Sequence, residues 1–306
     1  MAKPVVILGV FVADTAYRAA RSPRMGETIL GDGFALGPGG KGSNQAVAAA
    51  RAGAQTHFIS RLGRDPFADM ALATWAAAGV TPAVTQHDDS YTGAAYIFVE
   101  TGTGANAIIV APGVAMTICD ADILANRALI ETAGVFVTQL EQPLPAAMTA
   151  LRLARNAGVT TILNPAPAAP LPPGMLALCD IVTPNETEAE ALTGLPVTTP
   201  VEAEAAARAL CALGAGAAII TLGAQGALYH DGTRTVLVPA FAAGPVVETT
   251  GAGDAFNGGL AAALAEGQEI VAAVRFGCAT AGISVTRPGT APSMPDRAEI
   301  VALLAR

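Results

Sequence analysis

Histidine, tryptophan and charge are all scarce in this sequence. Three histidines (His57, His87, His230) and four cysteines (Cys119, Cys179, Cys211, Cys278) are scattered along the chain. No CxxC pair and no clustered His/Cys set occurs, which argues against zinc-ribbon and dithiol redox chemistry. The cysteine spacing is also unlike a small stapled fold, so the thiols read as reduced core residues of a cytoplasmic protein. Positive charge is too thin for a nucleic-acid face. The 17 Lys and Arg stand against 25 Asp and Glu, a formal net charge of −8, whereas phosphate backbones demand clustered cations. A nucleotide needs only a local anion site and stays open as a ligand. No apolar stretch is long and uninterrupted enough to span a membrane. The opening "MAKPVVILGVFVADTA" carries Lys3, an apolar run and small residues in the order of a short signal peptide. Pro4, the β-branched content and the stop at Gly9 favour a buried first strand of a parallel sheet.

With 52% apolar and 14% charged residues, a large core is affordable and disorder is not expected. The length of 306 residues fits one large α/β domain with an appendage, or two domains. From about residue 134 the chain alternates. "GVFVTQLE" reads as a strand and "PAAMTALRLARNAG" as a helix. "VTTILNPAP" is a strand, "LPPGMLALC" a short helix and "DIVTPN" a strand. "ETEAEALTG" and "VEAEAAARALCALG" are helices, and "AAIITLG" is a strand. Such grammar means βαβ units and a parallel sheet, with ligands along the edge where strands end. Gln139, Glu141, Asn164, Asn185, Thr221 and Gly223 stand at that edge. Two earlier segments, "ETILGDGFALGPGG" and "YTGAAYIFVETGTGANAIIVAPG", read as short strands joined by Gly-rich turns, in antiparallel style. They flank a helix–strand–helix stretch from Gly42 to Thr85. The expectation is a small β-sheet lid built from two insertions, residues 11–38 and 88–113, on a body spanning residues 1–306.

Two Gly-rich loops carry the chemistry. "GPGGKG" (Gly37 to Gly42) has GxGxxG spacing, but the first strand lies far upstream. The next strand, "THFISRLG", ends near Ser60 and Arg61 rather than in an acid. Arg61 leaves an NADP-dependent reductase as a competing reading. Lys41 is followed by Gly42, so the loop is not a P-loop. Consecutive glycines let backbone N–H groups approach a polar ligand. Lys41 and Asn44 then add a cation and an amide suited to a polyhydroxylated molecule, although Asn44 as a local cap would explain the same pattern. The second loop, "ETTGAGDAFNGG", opens an apolar helix with one carboxylate, Asp254. Unpaired N–H groups at a helix start attract anions. They can stabilise a moving phosphoryl group while Asp254 accepts the proton of an attacking hydroxyl. A plain first-turn acid would read the same way.

"GGKGSNQAVAAARAG" followed by "RLG", and "TTGAGDAFNGG", together resemble the two signatures of the PfkB, or ribokinase-like, carbohydrate kinases. "GETI", "NPAPA", "TPNETEAEALTG", "TLGAQG" and "VTRPGTAPSMP" are similar to further family segments in the same order, so the resemblance covers essentially the whole chain. It implies a ribokinase-like three-layer α/β/α sandwich with a mostly parallel central sheet and a small β-sheet lid. It also implies ATP-dependent phosphorylation of a sugar primary hydroxyl, with D-ribose giving D-ribose 5-phosphate, and a homodimer formed through the lid. Carried over to this chain, the catalytic base is Asp254 and the anion hole is Gly251, Ala252 and Gly253. Asp14, Gly40, Lys41, Asn44 and Glu141 hold the sugar. Asn185 and Glu188 organise Mg²⁺ through water, their i, i+3 spacing placing both on one helical face. Thr221, Leu222, Gly223, Ala224, Gln225 and Gly226, with Gly253, line the ATP site, where Gly223 and Gly226 allow close backbone approach. A monovalent cation, K⁺ as activator, falls to Glu248, Thr250, Ser284, Arg287, Gly289 and Ser293.

Three positions depart from the family pattern. The family commonly reads "GSINAD" where this chain has "GVFVAD", so Val12 replaces an Asn that helps hold the sugar. Losing one buried hydrogen-bond partner costs about 1–3 kcal/mol. Either ribose binds more weakly or the preferred sugar differs, with another pentose, a keto-sugar acid or a nucleoside as alternatives. Glu141 in "QLEQP" favours free hydroxyls over a base. Glu248 stands in place of the usual Asp, and Cys278 in place of a His near the adenine. A sugar- or nucleotide-binding regulator without catalysis is the reading from another class, and the intact Asp254 and "NETE" oppose it.

Overall fold

The computed structural model describes residues 3–306. Met1 and Ala2, where the leader reading begins, lie outside the described residues. The first half runs β1 (Val5–Leu8), β2 (Val12–Ala19), β3 (Gly33–Gly39), α1 (Lys41–Arg51), β4 (Thr56–Gly63), α2 (Pro66–Ala78), β5 (Val80–His87), β6 (Thr92–Glu100), β7 (Asn106–Gly113), α3 (Asp120–Ala125), α4 (Arg127–Glu131) and β8 (Val135–Thr138). The second half runs α5 (Leu144–Asn156), β9 (Thr160–Leu163), β10 (Ile181–Val182), α6 (Glu186–Thr193), α7 (Pro200–Ala212), β11 (Ala217–Thr221), β12 (Ala227–His230), β13 (Thr235–Val238), α8 (Ala252–Ala265), α9 (Ile270–Ser284) and α10 (Arg297–Leu304).

Nine strands form one sheet in the order β13-β12-β11-β10-β9-β8-β1-β4-β5. Every pair from β5 to β11 is parallel, and only the β11–β12 and β12–β13 pairs are antiparallel. Alternation along β1 shows why its run is continuously apolar. Val5 and Ile7 join the core on one face, while Val6 and Leu8 join the core on the other. A parallel strand covered by helices on both sides has no polar face to keep. The first core takes Phe58 and Trp75, whose rings meet edge to face 5.0 Å apart, together with Phe256 of α8. The second takes Phe136, Leu151 of α5 and Leu210 of α7.

Small residues bring α1, α8 and α9 unusually close. A Cβ added at Gly258 would stand 2.7 Å from the Gln45 carbonyl oxygen. One at Gly259 would stand 2.9 Å from Thr280 Cβ, and one at Gly277 2.9 Å from the Phe256 carbonyl oxygen. This crossing sets the distance between the residues that open α1 and those that open α8.

A separate four-stranded sheet has the order β3-β2-β6-β7. Its outer pairs are antiparallel, as the Gly-rich turns suggest, but β2 and β6 run parallel from Val12↔Gly93 to Ala19↔Glu100. One face of this sheet is apolar and exposed, with Tyr17, Phe34, Leu36, Tyr96 and Ile109 on it. Tyr17 packs on Phe34 and Tyr96 with ring centroids 5.1 and 5.5 Å apart.

Four local expectations change. β5 was read as the continuation of a helical stretch. Its parallel pairing with β4 alone makes it an edge strand, and Pro82 sits where an edge tolerates it. "LPPGMLALC" yields a single 3₁₀ turn, Leu176–Leu178, because Pro172, Pro173 and the left-handed Gly174 (φ 78°) leave no room for a full helix. The "ETIL" segment is irregular rather than a strand. Cys119 is exposed rather than core, at the start of α3, while all four thiols are free.

Candidate active site

The C-terminal ends of β9, β10 and β11 meet the first turns of α1 and α8 around a polar cleft of about 140 Å³, lined among others by Lys41, Asn185, Glu188, Gly253 and Asp254. A larger groove of about 530 Å³, running from Ala168 to Leu176, is lined by Ala, Pro, Leu, Gly and Met and holds no titratable group.

Gly251 caps α8 with φ 80° and ψ 0°, a left-handed turn that favours glycine. It swings the chain so that Gly253 is exposed and Asp254 is buried in the first turn. A Cβ added at Gly253 would meet nothing within 4 Å. The Ala252 N–H is turned back onto the Thr249 carbonyl at 3.1 Å. Of the three residues expected to form an anion hole, Gly251 and Gly253 line the cleft, and Gly253 is the most exposed. Asp254 Oδ2 accepts from Asn44 Nδ2 and Oδ1 accepts from Gln45 Nε2, both at 3.0 Å. Burial pushes its pKa up, and the Lys41 charge and these two amides pull it back.

The α1 loop supplies the opposite wall. Gly40 has φ 87°, and a Cβ there would lie 2.5 Å from the Val10 carbonyl oxygen. A Cβ at Gly39 would lie 2.6 Å from Asp14 Oδ1. The second sheet thus lays Asp14 directly over the loop. The Lys41 N–H donates to Glu141 Oε2 at 2.8 Å. Asn44 is not a local cap: it lies inside α1, and its Oδ1 is buried with no donor. Burial, then Asp254 and Glu248, push Asp14 up to about 6. Burial pushes Glu141 up to about 7 against the charge and N–H of Lys41, with Asp254 and Asp14 adding to the rise. Carboxylates thus crowd a single lysine.

Asn185 and Glu188 cap α6 reciprocally. The Glu188 N–H donates to Asn185 Oδ1 at 2.8 Å and the Asn185 N–H to Glu188 Oε2 at 2.9 Å. One oxygen of each is thereby engaged, which fits a hydrated rather than a directly ligated metal. Among the described residues, no group of three or more His, Cys, Asp or Glu is placed to hold a metal ion. Thr221 bridges to Asn185 across the sheet edge, and Gly223–Gln225 makes one exposed 3₁₀ turn. Gly223 (φ 49°) is open, whereas a Cβ at Gly226 would stand 2.6 Å from the Ala240 nitrogen. Gly226 is thus required by the end of β13 and the residues just after it. Leu222 is buried and Ala224 exposed.

The expected cation residues only partly converge. Glu248 Oε2 accepts from the Gly289 N–H at 2.8 Å. The Ser284 hydroxyl donates to the Ala281 carbonyl and that of Ser293 to the Thr290 carbonyl. The Arg287 guanidinium is paired with Glu299, so its side chain is no cation ligand. Thr250 is exposed just ahead of α8. Cys278 is 6% exposed within α9, and burial raises its thiol to about 12. It offers an apolar wall and no polar contact. Arg61 Nε is 3.0 Å from both oxygens of Asp122, so it is not free for a 2′-phosphate and the NADP reading loses its support.

The site also contains residues the sequence did not single out. Gln45 and Asn257 are buried, and Asn257 donates to the Gly253 carbonyl at 2.8 Å and accepts from Thr183 at 2.6 Å. The signal was present: each is an amide inside an Ala- and Gly-rich helix, where a lone polar group must have a partner.

A profile of the family described as "pfkB family carbohydrate kinase" matches residues 3–297. Ribokinase of Haemophilus influenzae is 37% identical over 305 residues, 99% of either chain. Deoxyribokinase of Salmonella typhi is 35% identical over 294 residues, 95% of either chain. Among solved structures, Arabidopsis thaliana ribokinase complexed with ribose and ATP aligns over 100% of both chains, with a TM-score of 0.94 and 32% identity.

Proposed function

The chain belongs to the pfkB family of carbohydrate kinases, and on that premise we propose that it transfers the γ-phosphoryl group of ATP to the 5-hydroxyl of D-ribose. The observation that carries this reading is Asp254, buried in the first turn of α8 directly after the exposed Gly253 amide and opposite Lys41 and Glu141. Asp14, Lys41, Glu141 and the unpartnered Asn44 Oδ1 accept from or donate to the secondary hydroxyls. As the 5-oxygen attacks the γ-phosphorus, its proton passes to Asp254 and the bond to ADP breaks. The Gly253 amide and the positive end of α8 meet the charge on the transferred group. The nucleotide lies along the β11 edge, by Thr221 and the Gly223–Gln225 turn. Asn185 and Glu188 would hold Mg²⁺ through water there, and it would offset phosphate charge. Glu248 and nearby main-chain carbonyls would hold K⁺ beside the loop before α8. The second sheet acts as a lid whose Asp14 closes on the sugar and excludes water, and its apolar outer face pairs with a second copy. Four free cysteines fit a cytoplasmic location, and among the described residues no helix is long and apolar enough to cross a membrane.

Val12 favours a second reading. It is 4% exposed, on the same face of β2 as Asp14, and flanked across the sheet by Gly39 and Gly93. An apolar wall tolerates a sugar that lacks one secondary hydroxyl, and a deoxyribokinase stands among the relatives. A coupled ADP-release assay over ribose, 2-deoxyribose, other pentoses, hexoses, keto-sugar acids and nucleosides decides between them. Ribose is expected to give the highest kcat/KM; a clear lead for 2-deoxyribose would replace it. Asp254→Asn should keep ATP affinity within a few-fold while turnover falls at least about 10²-fold, the scale of general-base loss. Unchanged turnover would remove Asp254 as the base.

A further inference from the structure

Behind Asp254 runs a line of buried amides that phosphoryl transfer, as described, does not use. Gln45 and Gln139 are fully buried, and Asn164 is 6% exposed. Asn164 Nδ2 donates to the Thr183 main-chain carbonyl at 3.0 Å, and its Oδ1 accepts from Gln45 Nε2 at 3.0 Å. The same Gln45 nitrogen donates to Asp254 Oδ1 at 3.0 Å, while Gln45 Oε1 accepts from Gln139 Nε2 at 2.6 Å.

The direction of this chain is not arbitrary. A backbone carbonyl can only accept, so Asn164 must turn its nitrogen to Thr183 and its oxygen to Gln45. That oxygen needs a donor, so Gln45 must present its NH₂, and the second hydrogen of that group points at Asp254. Gln139 locks the far side by giving its own NH₂ to the Gln45 oxygen. Its remaining oxygen lies where a Cβ at Gly9 or Gly42 would come within 2.6 and 2.8 Å. Two glycines of the N-terminal half, one of them in the "GGKG" loop, thereby make room for this amide and not for a ligand.

We propose that Gln45 is a positioning residue for phosphoryl transfer. It holds Oδ1 of Asp254 in place while Asn44 holds Oδ2, keeps the carboxyl ionised, and leaves the remaining lone pairs for the sugar hydroxyl. The need is electrostatic. Asp254 is faced by Lys41 at the start of α1, Asp14 on β2, Glu141 after β8 and Glu188 on α6. One cation stands among several carboxyls, so neutral donors must supply the remaining stabilisation of the charged base.

This rests on the sugar-kinase reading, and the experiment separates the two. Gln45→Met keeps the volume and removes the donor. The kcat–pH profile of the variant should have its acid limb moved up by about one unit, a loss of about tenfold on that limb, and alkaline pH should recover most of the rate. KM for ATP should not change. Asn164→Ala, which frees the Gln45 amide to turn over, should move the limb the same way by less, and it carries the test if Gln45→Met does not fold. A rate loss equal at every pH, with the limb unmoved in whichever variant folds, overturns the proposal. A wild-type protein that releases no ADP with any sugar overturns the function reading instead.

Discussion

Asp14 and Glu141 hold pKa values near 6 and 7, inside the range of ordinary buffers. Both are raised above their free values, so each is protonated, and loses an acceptor for a sugar hydroxyl, as pH falls through that window. Sugar KM is therefore expected to rise several-fold between pH 8 and pH 6, in titrations with ATP saturating. A flat KM over that range would detach both carboxyls from sugar binding. The same sign governs stability. A carboxyl whose folded pKa is raised favours the folded state below its unfolded pKa, and that contribution is lost as pH rises through the folded value. Asp14→Asn should thus leave the melting temperature at pH 8 unchanged or higher while sugar binding collapses. At this scale the motifs brought together the groups they pointed to: Lys41 and Asp254 line one cleft, with Glu141 bonded to Lys41 and Asn44 to Asp254. They could not carry the partners of those groups. Gln45 and its neighbour Asn44 both reach the Asp254 carboxylate, one on each oxygen, and that depends on how α8 crosses α1.

Among the elements, α8 separates glycines that serve packing from those that serve chemistry. Gly258 stands against the backbone of α1, so Gly258→Val forces the two helices apart. Overpacking of this kind costs about 1–3 kcal/mol, visible as a lower midpoint in urea unfolding. Gly253 has open space where a side chain would go, and alanine is the better helix former by about 1 kcal/mol. Gly253→Ala should keep or raise thermal stability yet cut turnover, because the added methyl fills the approach to the amide. Equal activity would mean that no phosphate comes close there. The parallel sheet was legible because strands covered on both faces read as Val/Ile/Leu runs. β5 was not, since an edge strand with half-exposed Val and Ala has no such run, and only Gly79, which caps α2, separates it from the helix. The requirement for Gly226 was equally hidden: positive φ is written in the residue type, but the backbone that crowds it comes from the end of β13 and the residues just after it.

For the whole molecule, the exposed face carrying Tyr17, Phe34, Leu36, Tyr96 and Ile109 sets the expected assembly. Introducing charge at that face, as in Phe34→Asp with Tyr96→Asp, should turn a dimer into a monomer in sedimentation equilibrium without disturbing the nine-stranded sheet. A wild-type protein that sediments as a monomer at micromolar concentration would remove the pairing. The sheet itself was foreseeable as two insertions, but its connectivity was not. Turn residues announce antiparallel neighbours, and nothing local announces that β2 and β6, far apart in sequence, will run side by side. That parallel seam ties the two insertions together. Each keeps one antiparallel ladder of its own, β2–β3 or β6–β7, but shortening one leaves the inner strand of the other as a bare edge. A protein engineer trimming this cap therefore has to cut in both places at once.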